Sequence, residues 1–278
     1  MPQYRRLPRL PIPDPSAIDP TPLLHADRLA YFERLAEAPS TMDRARELAS
    51  DPATRLPAAV IADLQTQGRG RRGARWWQPP GSLAVSIVVD APAFGETGPA
   101  APQWSLACGV ALAEVIRRTA IGVEAVVCWP NDIEVAGRKL AGILVETAGN
   151  RRVIFGIGVN TTGSAAAAPE PLRNRVATLP DLTGQPLSRQ RLLEAFLPTF
   201  FGLLREIATD PSRLAERYRP LCGLTGRHVR IHAADGMHEG LCAGIAADGR
   251  LVLETTAGRI CVVSGSLTDP ADVWRGDA

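Results

Sequence analysis

The chain is poor in aromatic residues, in methionine and in paired cysteines. Aromatics make up 5% of its 278 residues, and there are three methionines. The five cysteines, Cys108, Cys128, Cys222, Cys242 and Cys261, are odd in number and contain no C-x-x-C pair. That pattern argues against a disulfide framework or a zinc ribbon and points to a reducing, cytoplasmic compartment. No apolar run reaches the ~20 residues that a membrane-crossing helix needs. The first 22 residues carry Arg5, Arg6 and Arg9 without an apolar stretch, so they do not read as a secretory signal. An excess of one charge is missing too: 31 Lys+Arg stand against 29 Asp+Glu, for a net +2. Such balance argues against a general nucleic-acid binder, so each local arginine cluster is read as a site.

Hydrophobic residues at 45% and charged residues at 22% fit a soluble globular protein with one large domain and a small one. Residues 1–26 hold seven prolines and read as an extended arm, too short for a winged-helix DNA-binding unit. Residues 27–220 alternate between strand-like and helix-like pieces. Ser40-Thr41-Met42-Asp43 has the spacing of a helix start. Residues 58–63, 83–89, 125–128, 143–146 and 152–159 read as strands, and 103–119 and 188–207 as helices, the second kinked at Pro198. Residues 165–175 read as a mobile loop. From residue 221 to 278 the texture changes to short strands separated by Asp235-Gly236, Asp248-Gly249 and Ala257-Gly258, the pattern of a small barrel.

Three stretches carry chemistry. Gln65-Thr66-Gln67-Gly68-Arg69-Gly70-Arg71-Arg72-Gly73 follows a strand and precedes Trp76-Trp77. Glycine lets backbone N–H groups approach an anion, and arginine adds fork-shaped donors for carboxylate or phosphate. Trp129-Pro130-Asn131-Asp132 offers an amide and a carboxylate, with Asp132 suited to a metal-bound triphosphate. Lys139 lies in Gly137-Arg138-Lys139-Leu140-Ala141-Gly142, where it can neutralise charge on a transferring phosphoryl group. His228 and His232 lack a third ligand at zinc spacing, and Cys128 reads as a small buried hydrophobe.

With Ser40-Thr41, Gly137 to Glu146 and Gly156-Ile157-Gly158-Val159-Asn160 added in order, the chain resembles the biotin–protein ligases over residues 29–267. The resemblance implies an α/β (α+β) fold, with a class II aminoacyl-tRNA synthetase-like catalytic domain and a C-terminal SH3-like β-barrel. It implies a ligase that uses ATP and Mg2+ to convert biotin to biotinyl-5′-AMP, then transfers the biotin to a lysine of a biotin carboxyl carrier protein domain. It places Ser40, Thr41, Gln65, Arg69, Gly70, Arg71 and Lys139 around biotin, and Asn131, Asp132 and Asn160 on the nucleotide side. Lys139, Arg69 and Arg71 take the catalytic roles, and Asp132 the metal. Neither DNA nor membrane is expected as a partner, and a homodimer is an option. A lipoate– or octanoate–protein ligase of the same fold, or a binding-only relative, is the alternative. The chain departs from the family pattern at Cys128, where lysine is usual, at Met42, where asparagine is usual, and at Ala74, where a basic residue is common.

Overall fold

The computed structural model describes residues 18–25, 28–95, 102–149 and 151–267. The extended arm expected over residues 1–26 lies mostly outside them. Where described, it is not extended: residues 20–25 turn, and Ile18 and Leu23 bury in the main core. Two apolar side chains among prolines gain by leaving water.

The elements run in the order β1 (Tyr31–Ala38), α1 (Thr41–Ser50), β2 (Ala58–Gln65), β3 (Leu83–Asp90), α2 (Pro102–Thr119), β4 (Val126–Cys128), β5 (Asp132–Val135), β6 (Arg138–Ala148) and β7 (Arg152–Val159). There follow α3 (Leu179–Thr183), α4 (Arg189–Thr209), α5 (Ser212–Tyr218), β8 (His228–Ala233), β9 (Gly236–Ile245), β10 (Leu251–Thr255) and β11 (Gly258–Val262). The first seven strands form one mixed sheet, ordered β1-β2-β3-β7-β6-β5-β4, in which β1 pairs parallel with β2 and the other neighbours are antiparallel. The last four strands form an antiparallel sheet, ordered β11-β10-β9-β8, and a His232–Ser266 bridge brings the following segment back onto β8. This is the mixed α/β architecture with a small β unit that the sequence implied.

Strand β2 is an almost unbroken apolar run because both of its faces are covered. Ala58 and Val60 meet Met42, Ala45, Leu48 and Ala49 of α1, whereas Ala59 and Ile61 face the larger core under α2 and α4. Five of the six phenylalanines bury there or at its edge, with Trp104 stacked on Phe155 at 5.8 Å and Phe196 on Phe200 at 5.2 Å. Helix α4 is capped by Ser188 and runs continuously through Pro198. The small sheet joins the same core through Val229, Ile231, Leu251 and Leu253. Trp129, fully buried, donates its indole N–H to the Gly249 carbonyl at 3.1 Å.

Helix α1 covers only part of its face of the large sheet. Beyond its N-terminus the face formed by β5, β6 and β7 is uncovered, and glycines stand there in register: Asp132 opposite Gly142, Gly142 opposite Gly158, and Leu144 opposite Gly156. Side chains of the same parity share a face. The glycines let Trp76, Lys139 and Met42 lie close to the sheet, and a hollow forms beside them.

Candidate active site

The hollow is a cavity of about 470 Å³. All ten residues singled out in the sequence line it: Ser40, Thr41, Gln65, Arg69, Gly70, Arg71, Asn131, Asp132, Lys139 and Asn160. They arrive from four different places in the chain, so their convergence is a product of the fold.

One end is lined by uncharged polar side chains, with the Arg69–Asp43 pair at its edge. Ser40 caps α1, its hydroxyl accepting from the Met42 N–H at 3.3 Å. The Thr41 N–H and hydroxyl donate to Gln65 Oε1 at 2.9 and 3.2 Å, and the Ser86 hydroxyl donates to Thr41 Oγ1 at 2.8 Å. This end is built by the N-terminus of α1 meeting the end of β2. Met42 fills the adjacent space; a Cβ on Gly156 would come within 2.6 Å of its sulfur.

The other end is charged. Lys139 Nζ pairs with Asp132 Oδ1 at 2.7 Å, and both side chains remain about one-third exposed. A two-residue turn at Ala136 (φ 50°) and Gly137 (φ 72°) reverses the chain between β5 and β6 and sets Lys139 opposite Glu134. Arg71 donates to Asn131 Oδ1 at 3.1 Å and to the Gly265 carbonyl at 3.2 Å, and Asn131 donates to the Ile143 carbonyl at 2.8 Å. Burial and neighbouring Arg72 pull the Arg71 guanidinium below its ordinary pKa, with Asp132 acting in the opposite sense. Burial, then the charge of Asp132, raises Glu134 above the usual carboxylate range. An anion beside Arg71 and a cation beside Glu134 would each relieve an uncompensated charge.

The arginine loop turns through Arg72 (φ 55°) and Gly73 (φ 76°), which lets Arg69 bridge Arg75 across it. Arg69 itself is drawn to Asp43 on α1. Just past the loop, the indole of Trp76 lies on the glycine floor. A Cβ at Gly158 would sit 2.4 Å from its ring, and Lys139 Nζ is 5.9 Å from its centroid. Trp76 Nε1 and Asn160 Oδ1 are buried without a protein partner, so both have hydrogen-bonding capacity left for a ligand.

Two segments carry more local structure than their sequence suggests. Asn160 spends its amide on the Ala177 carbonyl at 2.9 Å, so it holds the following segment as well as lining the pocket. Residues 165–175, expected as a mobile loop, contain two 3₁₀ turns. Their C-terminal end and the residues just after it are tied to β6 by Lys139 N–H to the Arg175 carbonyl and Ala177 N–H to the Lys139 carbonyl, each 2.8 Å. Cys128 is buried, and burial followed by Glu134 and Asp132 pushes its thiol well up, which keeps it neutral. The sequence reading missed Glu134 and the glycine floor. Both follow a period of two, Asp132/Glu134 on β5 and Gly156/Gly158 on β7, and that alternation was the available signal.

The Biotin/lipoate A/B protein ligase family matches residues 35–161. The biotin--[acetyl-CoA-carboxylase] ligase of Paracoccus denitrificans is 33% identical over 235 residues, covering 81% of this chain and 95% of that protein. The bifunctional ligase/repressor BirA of Bacillus subtilis is 31% identical over 240 residues, covering 83% of this chain and 70% of the relative. Among solved structures, the biotin protein ligase from Aquifex aeolicus in complex with biotin and ATP superposes with a TM-score of 0.73 at 26% identity, over 84% of this chain and 96% of that one. From motif order, fold and these likenesses together, the chain belongs to the biotin/lipoate A/B protein ligase family.

Proposed function

We propose that the chain is an ATP-dependent biotin–protein ligase. The observation that carries this reading is the polarity of the cavity. A neutral hydrogen-bonded end at Thr41–Gln65 lies across a glycine floor from a charged end at Asp132–Lys139 and Arg71–Asn131. An acid with a polar ring head and a short aliphatic tail fits that gradient, with its carboxylate at the cationic end. The named ligase of Paracoccus denitrificans and the biotin and ATP in the Aquifex aeolicus complex support the same substrates.

In the first step a carboxylate oxygen of biotin attacks the α-phosphorus of ATP. The bond from that phosphorus to the bridging oxygen breaks, and pyrophosphate leaves. Two anions must meet, so Lys139, Arg69 and Arg71 act by holding positive charge where negative charge accumulates. In the second step the amine of a carrier-domain lysine attacks the anhydride carbonyl, an amide forms, and AMP and a proton depart. Trp76 and the segment through Leu172–Val176 line the cavity and would shield the anhydride from water. Asp132 and Glu134 fit a magnesium ion that arrives with the nucleotide, since Mg2+ takes one or two carboxylates plus phosphate oxygens. The raised Glu134 is the observation that favours a cation there. A bound magnesium would screen the phosphate charge.

The carrier domain of a carboxylase as acceptor and a cytosolic location complete the proposal; no helix among the described residues is long and apolar enough to cross a membrane. Sequence-specific DNA binding is not part of it. A net charge of +2, with 31 Lys+Arg against 29 Asp+Glu, argues against a broad basic face, and a gel shift on the chain's own biotin-operon promoter tests the point. For the activity itself, pyrophosphate release with biotin and MgATP is measured alongside mass detection of biotinyl-5′-AMP. Release no greater than without biotin would remove the ligase reading.

A further inference from the structure

Away from the cavity, Cys128, Cys222 and Cys242 gather about the buried Tyr218 at the seam between the two sheets. Cys222 follows the turn after α5, and the chain then folds back. The Arg227 N–H donates to the Leu224 carbonyl, the Gly226 N–H to the Cys242 carbonyl, and the Cys242 N–H to the Arg227 carbonyl, each at 2.9 Å. That reversal sets Cys222 against Cys242 of β9 in the same core. Cys242 is 1% exposed, whereas Cys222 is partly open to solvent. Cys222 Sγ lies 3.3 Å from the Tyr218 hydroxyl and accepts from the Leu224 N–H at 3.4 Å. The hydrogen bond with Cys242 first, then those of Thr225, Tyr218 and the Leu224 N–H, hold the Cys222 thiol below its ordinary pKa against the opposing effect of burial. The same contact pushes the Cys242 thiol up. An accessible thiol poised to ionise beside a second thiol that keeps its proton is the arrangement of an attacking and a resolving cysteine.

We propose that Cys222 and Cys242 are a reversible thiol–disulfide pair, a modification site at the seam that a hydroperoxide oxidises and a dithiol restores. The inference does not depend on the ligase reading. With hydrogen peroxide, the Cys222 thiolate attacks one oxygen, the O–O bond breaks, and the departing hydroxide takes up a proton as water. Cys222 is left as a sulfenic acid. The Cys242 sulfur then attacks the Cys222 sulfur, the S–O bond breaks, and a second water leaves with the Cys242 proton. Two thiols lose two electrons and the peroxide gains them. In a reducing compartment such a bond is transient and reports oxidant. Its place gives it reach: Cys222 bridges Val127 of β4, and the Gly223 N–H donates to the Val127 carbonyl at 3.0 Å. The bond would pin β9 of the small sheet to a segment already clamped on the large one.

The test treats the reduced full-length chain with hydrogen peroxide, alkylates the remaining thiols, and maps the peptides without reductant. The Cys222 and Cys242 peptides should appear joined, two hydrogens lighter than their sum. Free Cys222 should disappear about tenfold or more faster than free Cys261, the exposed cysteine of β11. The oxidised chain should melt a few degrees higher, because the bond restrains the unfolded state, and dithiothreitol should return it to the starting value. Cys222→Ser should abolish both the link and the shift. Cys242→Ala should leave Cys222 as a sulfenic acid that dimedone traps; if that variant loses its thermal transition, Cys242→Val takes its place. Oxidation of Cys261 with Cys222 and Cys242 still reduced overturns the proposal. So does passage of Cys222 to the sulfinic acid without a link, or a link that lowers the transition, since the pair would then not be set for the bond. None of these readouts uses ligase activity, so failure here and failure of the ligase reading are told apart.

Discussion

At the scale of single residues, the site is a set of charges held slightly out of balance. Lys139 is anchored by its strand and by Asp132 yet remains partly exposed, so its ammonium can turn to an incoming phosphate. Lys139→Ala should leave the melting temperature nearly unchanged and slow adenylate formation. One preorganised charge contact to the transition state is worth about 3 kcal/mol, roughly a hundredfold in single-turnover rate. Unchanged single-turnover adenylation would take Lys139 out of the chemistry. Glu134 makes a second case, this time in stability. Its pKa in the folded chain is raised, first by burial and then by Asp132, so the native state holds its proton longer than the unfolded state does. Stability is then lost as pH rises from the ordinary glutamate value to the raised native one, and the loss persists above that window. Glu134→Gln cannot ionise. It should therefore melt higher than the wild type at neutral pH, with the difference shrinking towards zero below the usual carboxylate range. Paired melting curves across pH check this, and a constant difference would mean that neither burial nor Asp132 raises the Glu134 carboxyl in the folded chain.

At the scale of elements, the sequence showed most clearly what is local. Helix α1 was legible because Ser40 is a cap and Met42, Ala45, Leu48 and Ala49 fall on one side. Strand β7 was legible because Val153 to Val159 form an almost continuous apolar run with β-branched residues. Strand β1 was not, because it is the outer strand of the sheet and carries Glu33, Arg34 and Glu37, whose charges hide the alternation. Strand β5 is only four residues long and begins inside a motif already read as a turn, so it too escaped notice. The ten residues that the family resemblance implied line one cavity. Their glycine floor was not legible, since it exists only when β6 and β7 pair in register. The segment after β7 belongs to the same class of long-range feature. Nothing in its small and polar residues announces that its backbone clips to Lys139, or that Asn160 holds Ala177. Asn160→Ala removes a buried hydrogen bond and strands a carbonyl, at a cost of about 1–3 kcal/mol. That cost should appear locally, as amide exchange 10-fold or more faster over residues 163–178 and a raised KM for ATP. Exchange unchanged in that segment would show that the backbone pairing holds it without Asn160.

At the scale of the whole molecule, the two sheets share one core. Tyr218, Leu221 and Leu224 at the junction are buried together with Trp129 and Val127 of the large domain and Ile231 and Leu253 of the small one. Polar ties reinforce the seam where it borders the cavity. Trp129 reaches the Gly249 carbonyl, Arg71 the Gly265 carbonyl at 3.2 Å, and Arg72 the His232 carbonyl at 3.3 Å. Because the arginine loop is held partly by the small sheet, losing that sheet would expose apolar surface and release the loop at once. The two parts should therefore unfold as one cooperative unit. Calorimetry of the full chain should show a single transition, coincident with the loss of tryptophan fluorescence. Biotin with ATP should raise that transition as a whole, since a ligand at one hundred times its Kd adds about 2.7 kcal/mol to the state that binds it. A chain ending at Pro220 should be poorly soluble and fail to show the ligand-dependent shift. Two separate transitions in the full chain, with only one moved by ligand, would mean that the small sheet is an independent attachment and that its carbonyls do not hold the arginine loop.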